Sequence, residues 1–151
     1  MPISITTAMP TSFKVELLKA VHDFTASTGD TFKIALLKAA AAGSGTFGAA
    51  TTNYSDLGAD ELPTATGYTA GGNTLVSITP VADSTTAICD FDNTTWNAAT
   101  FITSGALIYN STSSNTAVAV LSFGGDQQVS SGDFQVQFPT AAAATAIIRI
   151  A

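Results

Sequence analysis

Apolar and small side chains are densest in residues 101–123, where their pattern predicts a long antiparallel hairpin at the centre of the fold. Residues 101–109 and 116–123 form the two predicted strands, and both faces of each are largely apolar, which is typical of central strands. Between them lies the polar run 110–115 (NSTSSN), whose short side chains bond their own backbone and favour a turn. The rest of the chain is expected to cover this hairpin.

Only residues 12–24 (SFKVELLKAVHDF) combine helical spacing with a good start signal. Ser12 is the predicted N-cap, and Pro10 stands just outside the helix. The apolar positions follow the i, i+4, i+7, i+8, i+11 spacing of one helix face and are expected to pack on the sheet. They are Phe13, Leu17, Ala20, Val21 and Phe24.

Alternating apolar and polar residues predict further strands on both sides of the hairpin. Residues 133–138 (DFQVQF) alternate most regularly, as half-buried strands do. The weaker candidates are 31–38, 73–79, 85–92 and 145–151. Gly124 and Gly125 are expected to turn the chain. Seven or eight strands with one N-terminal α-helix indicate a mainly β fold, an antiparallel β-sandwich.

Residues 1–11 are predicted to form an extended arm ahead of a single domain spanning 12–151. Pro2 and Pro10 oppose helix, and Ile3 and Ile5 alternate with polar residues. Such an arm either lies on a neighbouring molecule or frays.

Residues 43–72 are rich in Gly, Thr and Ala and predict a long loop of the kind that often serves as an interaction surface. Its few large apolar side chains include Tyr54, Leu57 and Tyr68. Together with Ile3 and Ile5 of the arm, these three residues are the predicted interface residues.

Charge is sparse and acidic, which narrows the possible partners. Charged residues make up 11% of the chain and the net charge is −6, whereas an average domain is about 25% charged. No basic patch interleaved with aromatic residues is present, so direct nucleic-acid binding is not expected. No apolar run has the length of a membrane helix, and the first ten residues do not resemble a Sec signal.

Few residues suggest chemistry, and no cofactor is expected. Asp90, Asp92 and Asn93 could offer oxygens to Ca²⁺, but the favoured interpretation is outward-facing carboxylates that lead into a turn. The single cysteine, Cys89, is interpreted as a small buried hydrophobe. His22 is the only histidine and is interpreted as a surface or capping group. Acidic residues Asp56, Asp60 and Glu61 have no matching His or Lys to support acid–base work.

Several stretches together resemble a family of small virion proteins of tailed bacteriophages. The most specific are GALIYNSTSSNTAVAVLSFGGD and FQVQFPTAAAATAIIRIA. SFKVELLKAVHDF, TFKIALL, GYTAGGNTL and NTTWNAATF occur in the same order as in that family. The chain departs from the family pattern at residues 39–48. The resemblance implies a non-enzymatic role in the particle and carries no catalytic residues.

Within that family the expected role is a capsid decoration (cement) protein, located in the virion after assembly in the host cytoplasm. Its expected partners are the major capsid protein, other virion proteins and further copies of itself. One alternative is a tail or neck component. Another is a carbohydrate-binding module that stacks host-surface sugars on Trp96, Tyr54 and Tyr68.

Overall fold

A computed structural model describes all residues, 1–151, and its fold is mainly β. The strands are β1 (Ser4–Ile5), β2 (Phe32–Lys38), β3 (Thr46–Phe47), β4 (Asn73–Thr74), β5 (Ser77–Asp83), β6 (Thr86–Phe91), β7 (Thr94–Asn110), β8 (Thr116–Val136) and β9 (Ile148–Ile150). One α-helix, α1 (Thr11–Leu18), and two 3₁₀ helices (Ala40–Ala42 and Tyr54–Asp60) complete the chain. None of these helices has the length and hydropathy of a membrane span.

Two antiparallel sheets share one core. The larger sheet has the strand order β4-β2-β7-β8 and the smaller one the order β5-β6-β9. Phe32 and Ile108 of the larger sheet belong to the same buried cluster as Phe91 and Ile148 of the smaller one. The sandwich-like packing of two antiparallel sheets agrees with the predicted fold class. One prediction is wrong in detail, because the short pair β1–β3 is parallel.

The larger sheet is buried on both faces, which explains the apolar character of both faces of the hairpin. On one face Ile34 and Ile108 contact the smaller sheet and α1 through the main core. On the other face Leu107 and Val120 pack in a second cluster with Ile3 of the arm. The domain therefore has three layers rather than two. The larger sheet lies in the middle, with one apolar cluster on each of its faces.

The central hairpin is confirmed and is longer than predicted. β7 and β8 pair from Asn110↔Thr116 out to Thr94↔Val136. The predicted turn forms because the Asn110 side-chain oxygen accepts the backbone N–H groups of Thr112 and Ser113, each at 3.0 Å. This side chain-to-backbone pattern is what favours Asn in turns.

Gly124 and Gly125 do not turn the chain, and residues 133–138 are not a separate strand. Thr103 pairs with Gln127 but Gly105 pairs with Ser122, so β8 has extra residues that bulge between these pairs. Both glycines have positive φ (77° and 151°). Glycine adopts such angles without steric cost, which lets the strand absorb the extra residues and continue.

The helix ends earlier than predicted. Ala20 has a φ of 56°, the Val21 N–H bonds the Glu16 carbonyl at 3.0 Å, and the Ala20 N–H bonds the Leu17 carbonyl at 3.1 Å. These two bonds form a Schellman motif, which usually has glycine at the left-handed position. Pro10, rather than Ser12, occupies the N-cap position.

Of the predicted helical stripe, Phe13 and Phe24 are buried in the main core and Leu17 is half-buried against it. Phe24 reaches the core from extended chain beyond the helix and stacks on Phe32, with ring centroids 4.3 Å apart.

The predicted strand at 73–79 is divided between the two sheets. β4 pairs with β2, whereas β5 pairs with β6. Pro80 lies inside β5, where the register shifts between Ile78 and Val81. Proline is tolerated here because β5 is an edge strand with an irregular ladder.

Candidate assembly surface

The N-terminal arm packs on its own chain. The Ile3 N–H donates to the Ala40 carbonyl at 2.8 Å, and Ala8 and Val120 exchange two backbone hydrogen bonds of 3.0 and 2.9 Å. Ile3 is buried and Ile5 half-buried in the second cluster. The arm is thus extended, as predicted, and it packs on the chain's own sheet as a layer of the domain.

The long loop is likewise folded against the larger sheet. Leu57 is buried with Ile3 and Phe47 in the second cluster. The 3₁₀ helix Tyr54–Asp60 is capped at its start. The Asn53 side-chain oxygen accepts the Ser55 N–H at 3.0 Å, and the Asp56 carboxylate accepts the Asn53 N–H at 3.2 Å. Three predicted interface residues, Ile3, Leu57 and Tyr68, thus contact the interior. A partner would have to contact other side chains.

Glu61 organises a tyrosine cluster that the sequence did not indicate. One carboxylate oxygen accepts the Tyr54 hydroxyl at 2.5 Å. The other accepts the Tyr68 hydroxyl at 3.0 Å and the Gly71 N–H at 2.5 Å. The Tyr109 hydroxyl donates to the Gly71 carbonyl at 2.8 Å, and its ring stacks on Tyr54 at 4.5 Å. This network fastens the loop to the sheet.

The tyrosine hydroxyls of this cluster are held in their protonated form. Burial raises the pKa of Tyr109 to about 12, and the Glu61 carboxylate adds to that rise. Burial and the same carboxylate raise the pKa of Tyr54 and Tyr68 above the ordinary value. A general acid or base works best with a pKa near the working pH, so these phenols suit hydrogen bonding and not proton transfer at neutral pH.

The aromatic residues proposed for sugar stacking are largely inside the protein. Trp96 is 3% exposed and Tyr68 is 2% exposed, and their rings lie 6.2 Å apart within the core. Tyr54 is half-buried and its ring face is stacked on Tyr109. A sugar-stacking platform needs exposed rings, so the interpretation that these three residues form one is wrong.

Asp90, Asp92 and Asn93 do not converge on one point. Asp90 is fully buried, which raises the pKa of its carboxyl; the prediction that it faces outward is wrong. Asp92 is exposed, and the Asn93 side-chain oxygen accepts the Phe138 N–H at 2.8 Å. No group of three or more His, Cys, Asp or Glu side chains lies close enough to hold a metal ion.

The His22 side chain is fully buried, which corrects its interpretation as a surface or capping group. The Asn110 oxygen faces two turn N–H groups, so its amide nitrogen donates to Asp30 at 2.7 Å and to His22 Nδ1 at 2.9 Å. His22 Nε2 then donates to Glu16, also at 2.9 Å. Both ring nitrogens are thus occupied by structural contacts.

Cys89 is buried as predicted. Burial raises the pKa of its thiol to about 12. Because the thiolate is the nucleophilic form, this environment does not favour reactivity.

An open apolar surface lies between α1 and β9. Leu18 is 91% exposed and Ile150 is 59% exposed. Two adjoining concavities of about 150 and 280 Å³ share Leu17, Ile148 and Ile150, and we call them together the α1–β9 groove. Its other lining residues are Met9, Lys14, Leu18, Phe24, Pro80, Ala87, Ile88, Cys89 and Arg149.

The sequence does not predict this groove, although its ending TAIIRIA is apolar apart from Arg149. That both ends of the chain form one concave surface depends on the tertiary fold.

Charge is distributed unevenly around the groove. It contains Lys14 and Arg149 but no acidic residue, although the chain has eleven acidic residues and only five basic ones. Lys14 has no salt bridge, and the Arg149 guanidinium donates to the Ala144 carbonyl at 2.7 Å. The groove is therefore an apolar surface with a cationic rim on an acidic protein.

No family model, curated protein or solved structure matches the chain. A function therefore has to be proposed from the residues and their geometry.

Proposed function

We propose that this protein is a structural component of a tailed-bacteriophage particle, and specifically a capsid decoration protein. In this role it stabilises the head by non-covalent contacts with the major capsid protein and with other copies of itself. The observation that carries the proposal is the α1–β9 groove, because a concave apolar surface with exposed Leu18 and Ile150 is typical of a protein–protein contact.

The chemistry of the interior supports a structural role. The histidine is engaged by Glu16 and Asn110, the thiol is buried, and Glu61 is surrounded by hydrogen-bond donors that belong to the fold. These three groups are thus held by contacts within the fold. The resemblance to small virion proteins supports the same role.

The proposed contact surface differs from the one that the sequence suggested. The arm and the 43–72 loop pack against the chain's own sheet, whereas the groove is open. We therefore assign the main contact to the groove. Binding through apolar side chains should depend little on salt. At 1 M salt the Debye length is only about 3 Å, so interactions between exposed charges are screened.

Co-sedimentation with undecorated capsids of the parent particle tests the proposal. The wild-type protein should bind at both low salt and 1 M salt, and Leu18→Asp should bind at least about tenfold more weakly. Ile102→Asp is a matched control, since Ile102 is 39% exposed on β7 and lies outside the groove. Failure of the wild-type protein to bind under any condition would contradict the proposal, and binding to purified tails instead would point to a tail component.

A further inference from the structure

A concavity of about 320 Å³ lies where β8 bends, and it shares no residue with the α1–β9 groove. The Phe123 and Phe134 rings lie 6.0 Å apart there, although both belong to the same strand and are far apart along it. β8 bulges where its register to β7 shifts, and bulges bend a strand. We call this concavity the β8 cleft. Its lining residues are Phe123, Gln127, Phe134, Gln135, Val136 and Gln137.

The β8 cleft concentrates two kinds of side chain that are scarce on the rest of the surface. All four glutamines of the chain lie between residues 127 and 137, and three of them line the cleft. Among the aromatic side chains, Tyr54, Phe123, Phe134 and Phe138 are half-buried and the others are buried. Two of these four line the cleft. Aromatic rings and uncharged amides are thus brought together in one concave place.

The ring of Phe134 is held in place by buried rings behind it. Its centroid lies 5.9 Å from that of Trp96 and 5.2 Å from that of Phe101, and both of these residues are buried. Aromatic pairs at such distances are mutually stabilising. A ring that is already fixed loses little conformational entropy when a ligand packs on it.

The glutamine amides retain hydrogen-bonding capacity for a ligand. Gln137 Nε2 donates to Gln135 Oε1 at 2.8 Å, and Gln135 Nε2 donates to Thr95 Oγ1 at 3.1 Å. Gln127 Nε2 has one long contact, to the Gly125 carbonyl at 3.4 Å. A carboxamide has two N–H donors and an acceptor oxygen, so the amides of Gln127 and Gln137 can each still donate and accept.

No charged side chain lines the β8 cleft, although the protein has a net charge of −6. The two acidic residues of this part of β8 bond other segments of the chain. Asp126 accepts the Ala40 N–H at 2.8 Å, and Asp133 accepts the Ala98 N–H at 3.1 Å. An ionic ligand would find no opposite charge in the cleft. The lining residues instead suit a neutral ligand that has both an apolar face and groups able to donate and accept hydrogen bonds.

We propose that the β8 cleft binds a neutral glycan. A sugar ring has an apolar C–H face, which would lie against Phe123 and Phe134, and hydroxyl groups, which would pair with the amides of Gln127 and Gln137. The volume of about 320 Å³ lies at the lower end of the range of small-molecule sites, about 300–1,000 Å³, and suits a short oligosaccharide. This activity is separate from the proposed capsid contact, because the cleft and the groove have no residue in common.

The side-chain NH₂ signals of the glutamines in ¹H–¹⁵N NMR spectra test the proposal. Maltohexaose, cellohexaose and chitohexaose are neutral glycans and serve as the probes. We expect at least one of them to bind with a dissociation constant of about 1 mM or tighter. Binding should shift the NH₂ signals of Gln127, Gln135 and Gln137. The signal of Gln128 should stay in place, because this glutamine lies outside the cleft.

Substitutions with matched controls locate the site. Gln137→Ala removes one amide and Phe123→Leu removes one ring, and each should raise the dissociation constant about three- to tenfold. Gln128→Ala and Phe138→Leu are the controls outside the cleft and should bind like the wild type. Leu18→Asp, in the α1–β9 groove, should also keep its glycan affinity, so a failure of capsid binding is a separate result. The backbone spectrum shows whether each variant is folded.

Three outcomes would overturn the proposal. The first is that none of the glycans shifts the cleft signals. The second is that Gln128→Ala weakens binding as much as Gln137→Ala does. The third is that the uncharged peptide acetyl-TATATA-amide shifts the cleft signals and the glycans do not. β8 is the last strand of the larger sheet, so this last result would identify a site where an extended peptide pairs with the strand edge.

Discussion

The two faces of this protein use similar side chains in different ways. On the arm side, the arm, β3 and the Tyr54–Asp60 helix cover the larger sheet, and Ile3, Phe47 and Leu57 are buried. On the groove side, α1 and β9 leave Leu18 and Ile150 largely in solvent. The difference shows that apolar patterning marks what can be buried, whereas the tertiary fold decides which apolar surface is left open.

The arm side also has the denser polar network. Glu61 accepts three hydrogen bonds there. The arm also forms backbone hydrogen bonds with β3 and with β8. The groove is almost free of such bonds, apart from those of Arg149. A surface without internal polar ties can accept a partner at little cost to the fold.

Deleting residues 2–10 should cause the largest loss on the arm side. The deletion removes buried Ile3 and several backbone hydrogen bonds of the arm, so we expect at least about 3 kcal/mol of destabilisation. Urea unfolding measures it. A deletion variant as stable as the full chain would mean that the arm is an appendage, as first expected from the sequence.

Substituting one leucine on each side compares the two surfaces directly. Leu57→Ala, in the covered cluster, should cost about 2–5 kcal/mol. Leu18→Ala should change stability by less than about 0.5 kcal/mol, as is usual for exposed positions. Both values come from urea unfolding at a protein concentration low enough to keep the chain monomeric. Similar losses for the two leucines would remove the distinction between the two sides.

Glu61→Gln should have an intermediate effect. Glutamine has one acceptor oxygen, so at least one donor among the Tyr54, Tyr68 and Gly71 groups would lose its acceptor. We expect a loss of about 1–3 kcal/mol and faster hydrogen exchange in residues 61–72. A stability equal to that of the wild type would show that the carboxylate is not what fastens the loop.

Raising the pH above 10 should lower the free energy of unfolding, and we expect this to be the smallest of the predicted effects. The folded pKa of Tyr109 is raised to about 12, above the unfolded value near 10, so unfolded chains lose the phenolic proton first. The resulting stability is fully present below pH 10 and is lost as pH rises toward 12. Tyr109→Phe should reduce this dependence, measured as the urea midpoint against pH. An unchanged slope would contradict the assignment.

The central hairpin was predictable because its signals are local. Both strands are mostly apolar runs on either side of a short polar turn, and Asn110 bonds the turn that it begins. The helix boundary was not predictable because Ala20, rather than glycine, adopts the left-handed conformation. Gly124 and Gly125 are equally compatible with a turn and with a bulge, and only the pairing of β7 with β8 decides between them.

The candidate surface was harder to predict because it depends on contacts between distant parts of the chain. Ile3 and Ile5 have the pattern of an exposed contact arm, yet the remote strand β3 covers them. Tyr54 and Tyr68 each lie only seven residues from Glu61. No regular spacing in the loop, however, predicts that their hydroxyls meet on one carboxylate. The ending TAIIRIA is apolar apart from Arg149, and the structure places it beside α1.

Hydrogen–deuterium exchange, compared between the free protein and the protein bound to capsids, tests most directly whether the groove side is the contact surface. We predict slower exchange in the bound state for residues 11–18 and 148–150, with no change in residues 3–8 and 46–62. Protection confined to the arm and the 46–62 segment would contradict the account.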